Sequence, residues 1–489
     1  MPIIGMSKSI IKNTIAKMTL NVFNIIVPIL IYPYIYRVLS AKSVGFIDYS
    51  TTLYTYFSLV GLLGIYNYGL REISRYRDNH VKTFWVFRNL FVIGLISNII
   101  ISILYYLFVF FLIKDPILKK IMYVQGIMII GQVFYIEWMN EAHEDYGFIT
   151  IKTIIIRILS IFSIFVFVTS NKDYYIYVII TSITYGINNV VSFIHVKKFI
   201  TLNPKQLFQH LDLLPFLPSL FLILILNNTN LLYTIADKTI LGTFFNAESV
   251  AYYGVGQKVS EMIRILFLSL VSVTIPRMSY YLENDSTAYK QGIIRLTRTT
   301  ILIIAPVVFG VYALSDNIVL LFSGKQYLAA IPTLKIFAFR IIVISTEAII
   351  YNQIIFLFRK EKFLMSINAG CGLLNVLLDL IFLKILTPEI AVATTIFCEI
   401  IFQIICLIYI KKTLNIETGL LKSYNLRYIL LSLFFIPIIL FIKNNMHNTI
   451  SIIIVSILSC ACFYISVLYL IKDDMAQQLF HRLTHKKDI

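Results

Sequence analysis

Charge is scarce in this sequence. Only 14% of its 489 residues are Asp, Glu, Lys or Arg, whereas 58% are apolar and mean hydropathy is +0.83. Soluble domains carry about a quarter charged residues, and no soluble core could hide this much apolar surface. Acidic residues are scarcest, 25 against 42 basic ones, giving a net charge of +17. Such a surplus suits nucleic acid in other proteins. Here the basic residues sit in short loops between apolar runs, which fits an anionic membrane face and argues against a nucleic-acid partner. Cysteine chemistry is also missing. Cys371, Cys398, Cys406, Cys460 and Cys462 all lie inside apolar runs. They form no CxxC pair and have no histidine at metal-ligand spacing, so they read as small apolar residues and no metal is expected. His481 and His485 belong to a charged tail and read as solvated. The first apolar stretch is long and lacks a small-residue cleavage site, so it is expected to stay as a membrane helix. No loop has room for a globular catalytic domain, and no enzyme activity is expected.

What the chain has instead is a series of apolar runs. A bilayer core takes about 20 apolar residues per helix. Runs of that length fall at 17–38, 46–67, 88–113, 119–138, 148–169 and 174–195. After a polar break they resume at 215–236, 250–276, 298–322, 329–357, 362–384, 390–410, 426–442 and 449–471. Backbone polar groups cannot go unpaired in lipid, and runs without strand alternation exclude a barrel. The expectation is an all-α polytopic membrane protein of about fourteen helices. Loop charge orients it. The N-terminus, every second loop and the C-terminal tail hold 26 Lys and Arg, and the alternate loops hold 10. Both termini are therefore expected in the cytoplasm. One stretch runs against the rule: EAHEDY at 141–146 is acidic on the side expected to be cytoplasmic.

The chain also repeats itself. Ala41-Lys42-Ser43-Val44-Gly45 returns 206 residues later as Ala247-Glu248-Ser249-Val250-Ala251. Each copy follows an odd-numbered span and opens the next. Two six-helix halves in parallel orientation follow, expected at 1–200 and 201–415, with two further helices and a tail at 416–489. A central cavity where such halves meet is where transporters place their substrate.

Several segments resemble the Wzx-type polysaccharide flippases of the multidrug/oligosaccharidyl-lipid/polysaccharide exporter superfamily. They begin with Tyr36-Arg37-Val38-Leu39, the turn to Gly45, and Asn67-Tyr68-Gly69-Leu70-Arg71-Glu72-Ile73-Ser74-Arg75. Glu137-Trp138 with Tyr146, Lys152 and Arg157 follows, then Asp237-Lys238-Thr239-Ile240-Leu241-Gly242. The last is Phe322-Ser323-Gly324-Lys325-Gln326-Tyr327 with Ala329, Ala330 and Pro332. The departures are the last two helices, which many members lack, and the EAHEDY loop. The resemblance implies a carrier in the bacterial inner membrane. It would move undecaprenyl-pyrophosphate-linked oligosaccharide from the cytoplasmic to the outer leaflet, for O-antigen, capsule or a similar surface polysaccharide. It implies no nucleotide hydrolysis, in keeping with the lack of a GxxxxGK[ST] loop. No cofactor is expected beyond an ion gradient or the membrane potential; the expected partners are the lipid-linked sugar, membrane lipids and a polysaccharide polymerase.

Ionisable residues at membrane depth are costly and so are functional candidates. A pyrophosphate needs compensating cations, and Arg meets phosphate oxygens with a two-pronged fork. Arg157, Arg264, Arg340, Lys258 and Arg37 are the candidates for substrate contact. Asp237, Glu261, Glu347, Asp379 and Glu399 are the candidates for gating or ion coupling. Bland alternatives stand beside these. Lys258, Glu261 and Arg264 share a helix face and could neutralise one another, as could Arg340 and Glu347. Lys152 and Lys335 could snorkel to the headgroups, and Asp379 could face Glu399. Most of the 32 tyrosines suit interfacial belts. Two other functional classes compete. A drug or cation exporter of the same superfamily would favour acidic over basic membrane residues. A membrane polymerase or glycosyltransferase would need a large outer loop or an acidic catalytic pair.

Overall fold

Short polar signals start the helices. Ser40 accepts a bond from the Ser43 amide at the head of α2 (Ala41–Leu62). Asp115 accepts from the amides of Ile117 and Leu118 ahead of α5 (Pro116–Gly131), where Pro116 occupies the first position. Asn448 does the same for Ile450 and Ser451 before Thr449–Leu470. Each cap fills amides that have no partner inside their own helix. In a computed structural model describing residues 8–201, 203–227, 233 and 235–477, the described residues are mostly helical and contain no strand. The chain is an all-α polytopic membrane protein. It divides into two compact units, residues 1–251 and 252–489.

The first unit holds α1 (Lys8–Val38), α2, α3 (Ile65–Tyr76), α4 (His80–Leu112), α5, α6 (Glu137–Ala142), α7 (Tyr146–Phe167) and α8 (Tyr174–His195). It continues with α9 (Pro204–Leu207), α10 (Leu217–Asn227) and α11 (Ala236–Phe244). Two of its helices are broken. α2 stops at Leu63 and Gly64, both at positive φ. A side chain on Gly64 would press within 3.0 Å of the backbone of Leu220 and Leu224, so glycine fits there. The chain then turns into α3, whose arginines face outward while Ile73 is fully buried. α5 likewise ends in a tight turn at Gln132–Phe134 before α6. Trp138 on α6 is fully buried, and Gly69 of α3 lies flat against its indole; a methyl there would come within 2.6 Å of Trp138 Cε3.

The two repeated segments touch. A side chain on Gly45 would overlap the carbonyl of Ala247, and Tyr49 bonds Thr243 at 2.9 Å. Close backbone approach at small residues is how helices pack in membranes, where burial of apolar surface gives no separate drive.

The second unit continues α12 (Ala247–Asn284) and adds α13 (Ser286–Ala313), α14 (Ser315–Ser323), α15 (Ile331–Ile349), α16 (Glu361–Ile381) and α17 (Pro388–Tyr409). It ends with α18 (Ser423–Leu433), α19 (Phe435–Asn445) and α20 (Thr449–Leu470). These last helices are fastened along α13. Midway along it, Arg298 bonds Tyr428 Oη at 2.8 Å and Asp473 at 2.7 Å. Near its end, Lys443 bonds the Ala313 carbonyl at 2.6 Å and pairs with Asp316. The two fastenings lie about 22 Å apart along a helix rising 1.5 Å per residue.

Among the described residues, twelve helices are long and apolar enough to cross a membrane. Twelve of the fourteen expected runs coincide with them. The second run falls on α2, which has the length but carries Asp48 and many hydroxyls. More than half of its residues are buried inside the first unit, Ser43, Ser50, Thr52 and Ser58 among them. The seventh run, 215–236, falls on α10 and on residues 228–232 and 234, outside the described residues. The tail residues Arg482, Lys486, Lys487, His481 and His485 also lie outside them.

Candidate functional site

In the second unit five charged side chains come together from three helices. Arg340, on α15 and 7% exposed, grips Glu399 of α17. Its Nε donates to both carboxylate oxygens at 3.0 and 3.1 Å, and Nη2 donates to Oε1 at 2.6 Å. Arg264, on α12, donates through Nε to Glu261 Oε2 at 2.7 Å and through Nη2 to Oε1. Both are two-pronged contacts of the strong charge-assisted kind. Glu347, two turns beyond Arg340 on α15, interacts electrostatically with Glu399, Arg340 and Arg264. Arg264 in turn feels Arg340. Phe337 lies 5.9 Å beneath the Arg340 guanidinium. Just after Glu347 the helix widens by one π-type turn at Ile350–Ile355, a distortion found at functional sites.

This corrects one sequence alternative. Arg340 pairs with Glu399 of a neighbouring helix and makes no ion pair with Glu347. Helical side chains lean toward the N-terminus of their helix, so Arg340 reaches away from Glu347. Glu399 is correspondingly taken by Arg340. Asp379, fully buried, accepts a bond from Thr394 Oγ1 at 2.5 Å. The Glu261–Arg264 pairing on one helix face is as the spacing indicated, while half-buried Lys258 lies on the same helix.

In the first unit Arg157 is half-buried on α7 and donates to the Asn24 side-chain oxygen of α1. It meets an amide there, with no carboxylate in ion-pair reach among the described residues. Arg37 is exposed at the end of α1. Asp237 is fully buried at the start of α11, next to Lys238, which lies 3.6 Å from Asp48. Lys152 does not snorkel. Its side chain is 2% exposed, bonded to both oxygens of Glu137 at 2.9 and 3.0 Å and to Ser192 Oγ at 2.6 Å. This buried set went unlisted as a site from sequence. The signal was Glu137 and Lys152 at similar depth on segments joined by a tight turn. Lys335 lies 5.7 Å from the ring of Tyr312.

Two of the three acids of the 141–146 turn are paired in place. Glu144 pairs with Arg77 at 2.7 Å, and Asp145 with Lys198 at 2.6 Å and His195 at 3.0 Å. Burial alone would raise the Asp145 carboxyl; the bonds from Lys198 and His195 outweigh it and hold the group below its ordinary value.

The arrangement holds the Arg340 and Arg264 guanidinium groups in fixed orientation, their charge balanced by the carboxylates of Glu399 and Glu261. Among the described residues no group of acids, cysteines and histidines is placed to hold a metal ion.

The fold is shared with transporters of known structure. A lipid II flippase, MurJ, in an inward closed conformation matches with a TM-score of 0.71 at 15% identity, over 96% of this chain and 99% of that one. A multidrug resistance MATE family transporter of the MOP superfamily, inward-facing, matches with a TM-score of 0.58 at 12% identity, over 87% and 96%. No curated protein matches the sequence at a significant level. Residues 10–282, more than half of the sequence, match the polysaccharide biosynthesis protein family, and the chain belongs to that family.

Proposed function

We propose that this protein flips a lipid-linked oligosaccharide, anchored on undecaprenyl pyrophosphate, from the cytoplasmic to the outer leaflet of the bacterial inner membrane. The product serves a surface polysaccharide such as O-antigen or capsule. The observation that carries the reading is the pair of carboxylate-bound arginines, Arg340 and Arg264, at membrane depth in a chain of the polysaccharide biosynthesis family. Two oxygens on one edge of a tetrahedral phosphate meet the guanidinium fork as a carboxylate does and carry more charge, so a diphosphate exchanges for Glu399 or Glu261. Arg157, bonded to a neutral amide, Lys258 and Arg37 supply further positive charge. Glu261, Glu347, Glu399, Asp237 and Asp379 are the groups that gate the path or couple it to an ion gradient or the membrane potential. The lipid II flippase likeness supports the same class of cargo. Both termini are cytoplasmic in this proposal, the repeats are 1–200 and 201–415 with 416–489 as an addition, and a polysaccharide polymerase takes up the product.

One observation favours a second reading. Three carboxylates face two arginines in the second-unit cluster, the balance a cation exporter would use. A deletion strain separates the two. The flippase reading expects surface polysaccharide to stop and lipid-linked repeat units to accumulate on the cytoplasmic leaflet. Normal polysaccharide in a strain without a second flippase, together with gained sensitivity to cationic drugs, would favour the exporter.

A further inference from the structure

The first unit encloses a small cavity at its elbow, where both broken helices bend. Leu62 and Ile65 flank the break after α2, Gln132 and Trp138 flank the break after α5, and Asn98 and Gly94 of α4 close the side. Three polar atoms of the lining have no hydrogen-bond partner: Asn98 Oδ1, Gln132 Oε1 and Trp138 Nε1. All three residues are at least 98% buried. Their other polar atoms are used. Asn98 Nδ2 donates to the carbonyls of Gly94 at 2.7 Å and Gly61 at 3.2 Å, and Gln132 Nε2 donates to Ser58 Oγ. Both Asn98 bonds go to carbonyls and so fix its amide with the oxygen unpaired, and Gln132, whose Nε2 faces the Ser58 hydroxyl, leaves its own oxygen unpaired as well. The oxygens converge: a methyl placed on Gly61 would lie 2.7 Å from Asn98 Oδ1 and 3.7 Å from Gln132 Oε1.

An unpaired polar group is costly inside a membrane protein, where bulk water offers no substitute. One N–H donor and two carbonyl-type acceptors are the complement of one water molecule, and buried waters make about three bonds. The cavity has room for about one. A bare cation would match the two oxygens, but the indole N–H turns the positive end of its dipole toward it. We infer that this cavity is a binding site for a structural water, which accepts from Trp138 Nε1 and donates to Asn98 Oδ1 and Gln132 Oε1. The water ties α4 to the bend between α5 and α6, so the elbow turns about a hydrated joint. Tyr66 and Tyr135, whose rings stack 5.7 Å apart, wall the same cavity.

The indole of Trp138 reports on the site directly. The chain has two tryptophans, so Trp85→Phe leaves one indole signal from the full-length protein in nanodiscs. With 15N-tryptophan, we expect a hydrogen-bonded indole proton that shows a cross-peak to water. Sodium and potassium chloride should leave its shift unchanged. Gly94→Val, which fills the cavity from α4, should remove the cross-peak and move the proton to its non-bonded position. If Gly94→Val does not fold, the Trp85→Phe spectrum decides alone. A non-bonded indole without a water cross-peak would mean a dry cavity and overturn the inference. A saturable shift with sodium or potassium would also overturn it, by making the occupant a cation.

Discussion

At the scale of single residues, Arg340 and Glu399 decide most. Removing one partner of a buried pair leaves the other charge uncompensated, at a cost of about 3–5 kcal/mol. Arg340→Ala should therefore lower the thermal midpoint in detergent as well as stop transport. Replacing both residues by leucine should recover much of the stability and none of the transport. If the double variant transports normally, the pair is structural and Arg340 has no part in binding. Arg157→Ala, which breaks a bond to an amide, should reduce transport with little change in midpoint, and Arg157→Lys should restore part of it. The sequence made some of this legible. Glu261 and Arg264 are three apart on one helix, and their pairing follows from spacing. Arg340 and Glu399 are 59 residues apart on different helices, and their meeting depends on how α15 packs on α17. Spacing alone pointed to Glu347, because it ignores the lean of helical side chains.

At the scale of elements, the breaks and clasps were hardest to read. Apolar content locates a membrane helix but not a bend inside it, so 46–67 and 119–138 read as straight runs. The bends come from Gly64 at positive φ and from the turn at 132–134. Gly69, quoted only as part of a motif, has a packing reason in the Trp138 indole. Gly69→Ala should overpack that contact and lower the thermal midpoint by an amount corresponding to about 1–3 kcal/mol. The acidic 141–146 turn defied the loop-charge rule because its partners, Arg77, His195 and Lys198, belong to other segments.

The clasp on α13 makes a similar test. Burial alone would raise the Asp473 carboxyl, but bonds from the Ala476 amide, Tyr428 and Arg298 hold it below its ordinary value. A carboxyl lowered on folding contributes stability above its unfolded value, near 4, and loses it as pH falls through the folded value. Attachment of α18–α20 should thus be constant from neutral pH to about pH 5 and weaken below about pH 4. Asp473→Asn should abolish that dependence and expose 423–470 to limited proteolysis at neutral pH. Unchanged proteolysis of the variant would mean that apolar packing alone holds these helices.

At the scale of the whole molecule, the class of fold was legible because hydropathy and the lack of charge act along the entire chain. The family followed from short motifs spread over much of it. The exact span count is harder, because α2 is too polar to be counted by hydropathy and is sheltered by protein. Reporter fusions after Lys205 and Lys487 should read as cytoplasmic, and a fusion after Lys443 as external; an external signal at the C-terminus would reverse the orientation.

Flipping itself is the central claim. The purified protein should be placed in vesicles carrying a fluorescent undecaprenyl-pyrophosphate-linked oligosaccharide in both leaflets, and the fraction open to a membrane-impermeant quencher followed over time. We expect wild-type vesicles to expose nearly all of the fluorophore within minutes. Vesicles with Arg340→Leu/Glu399→Leu, or with no protein, should stop at about half, the outer-leaflet share of an even distribution. Wild-type vesicles that also stop at half, under an imposed potential or ion gradient as well as without one, would contradict the account.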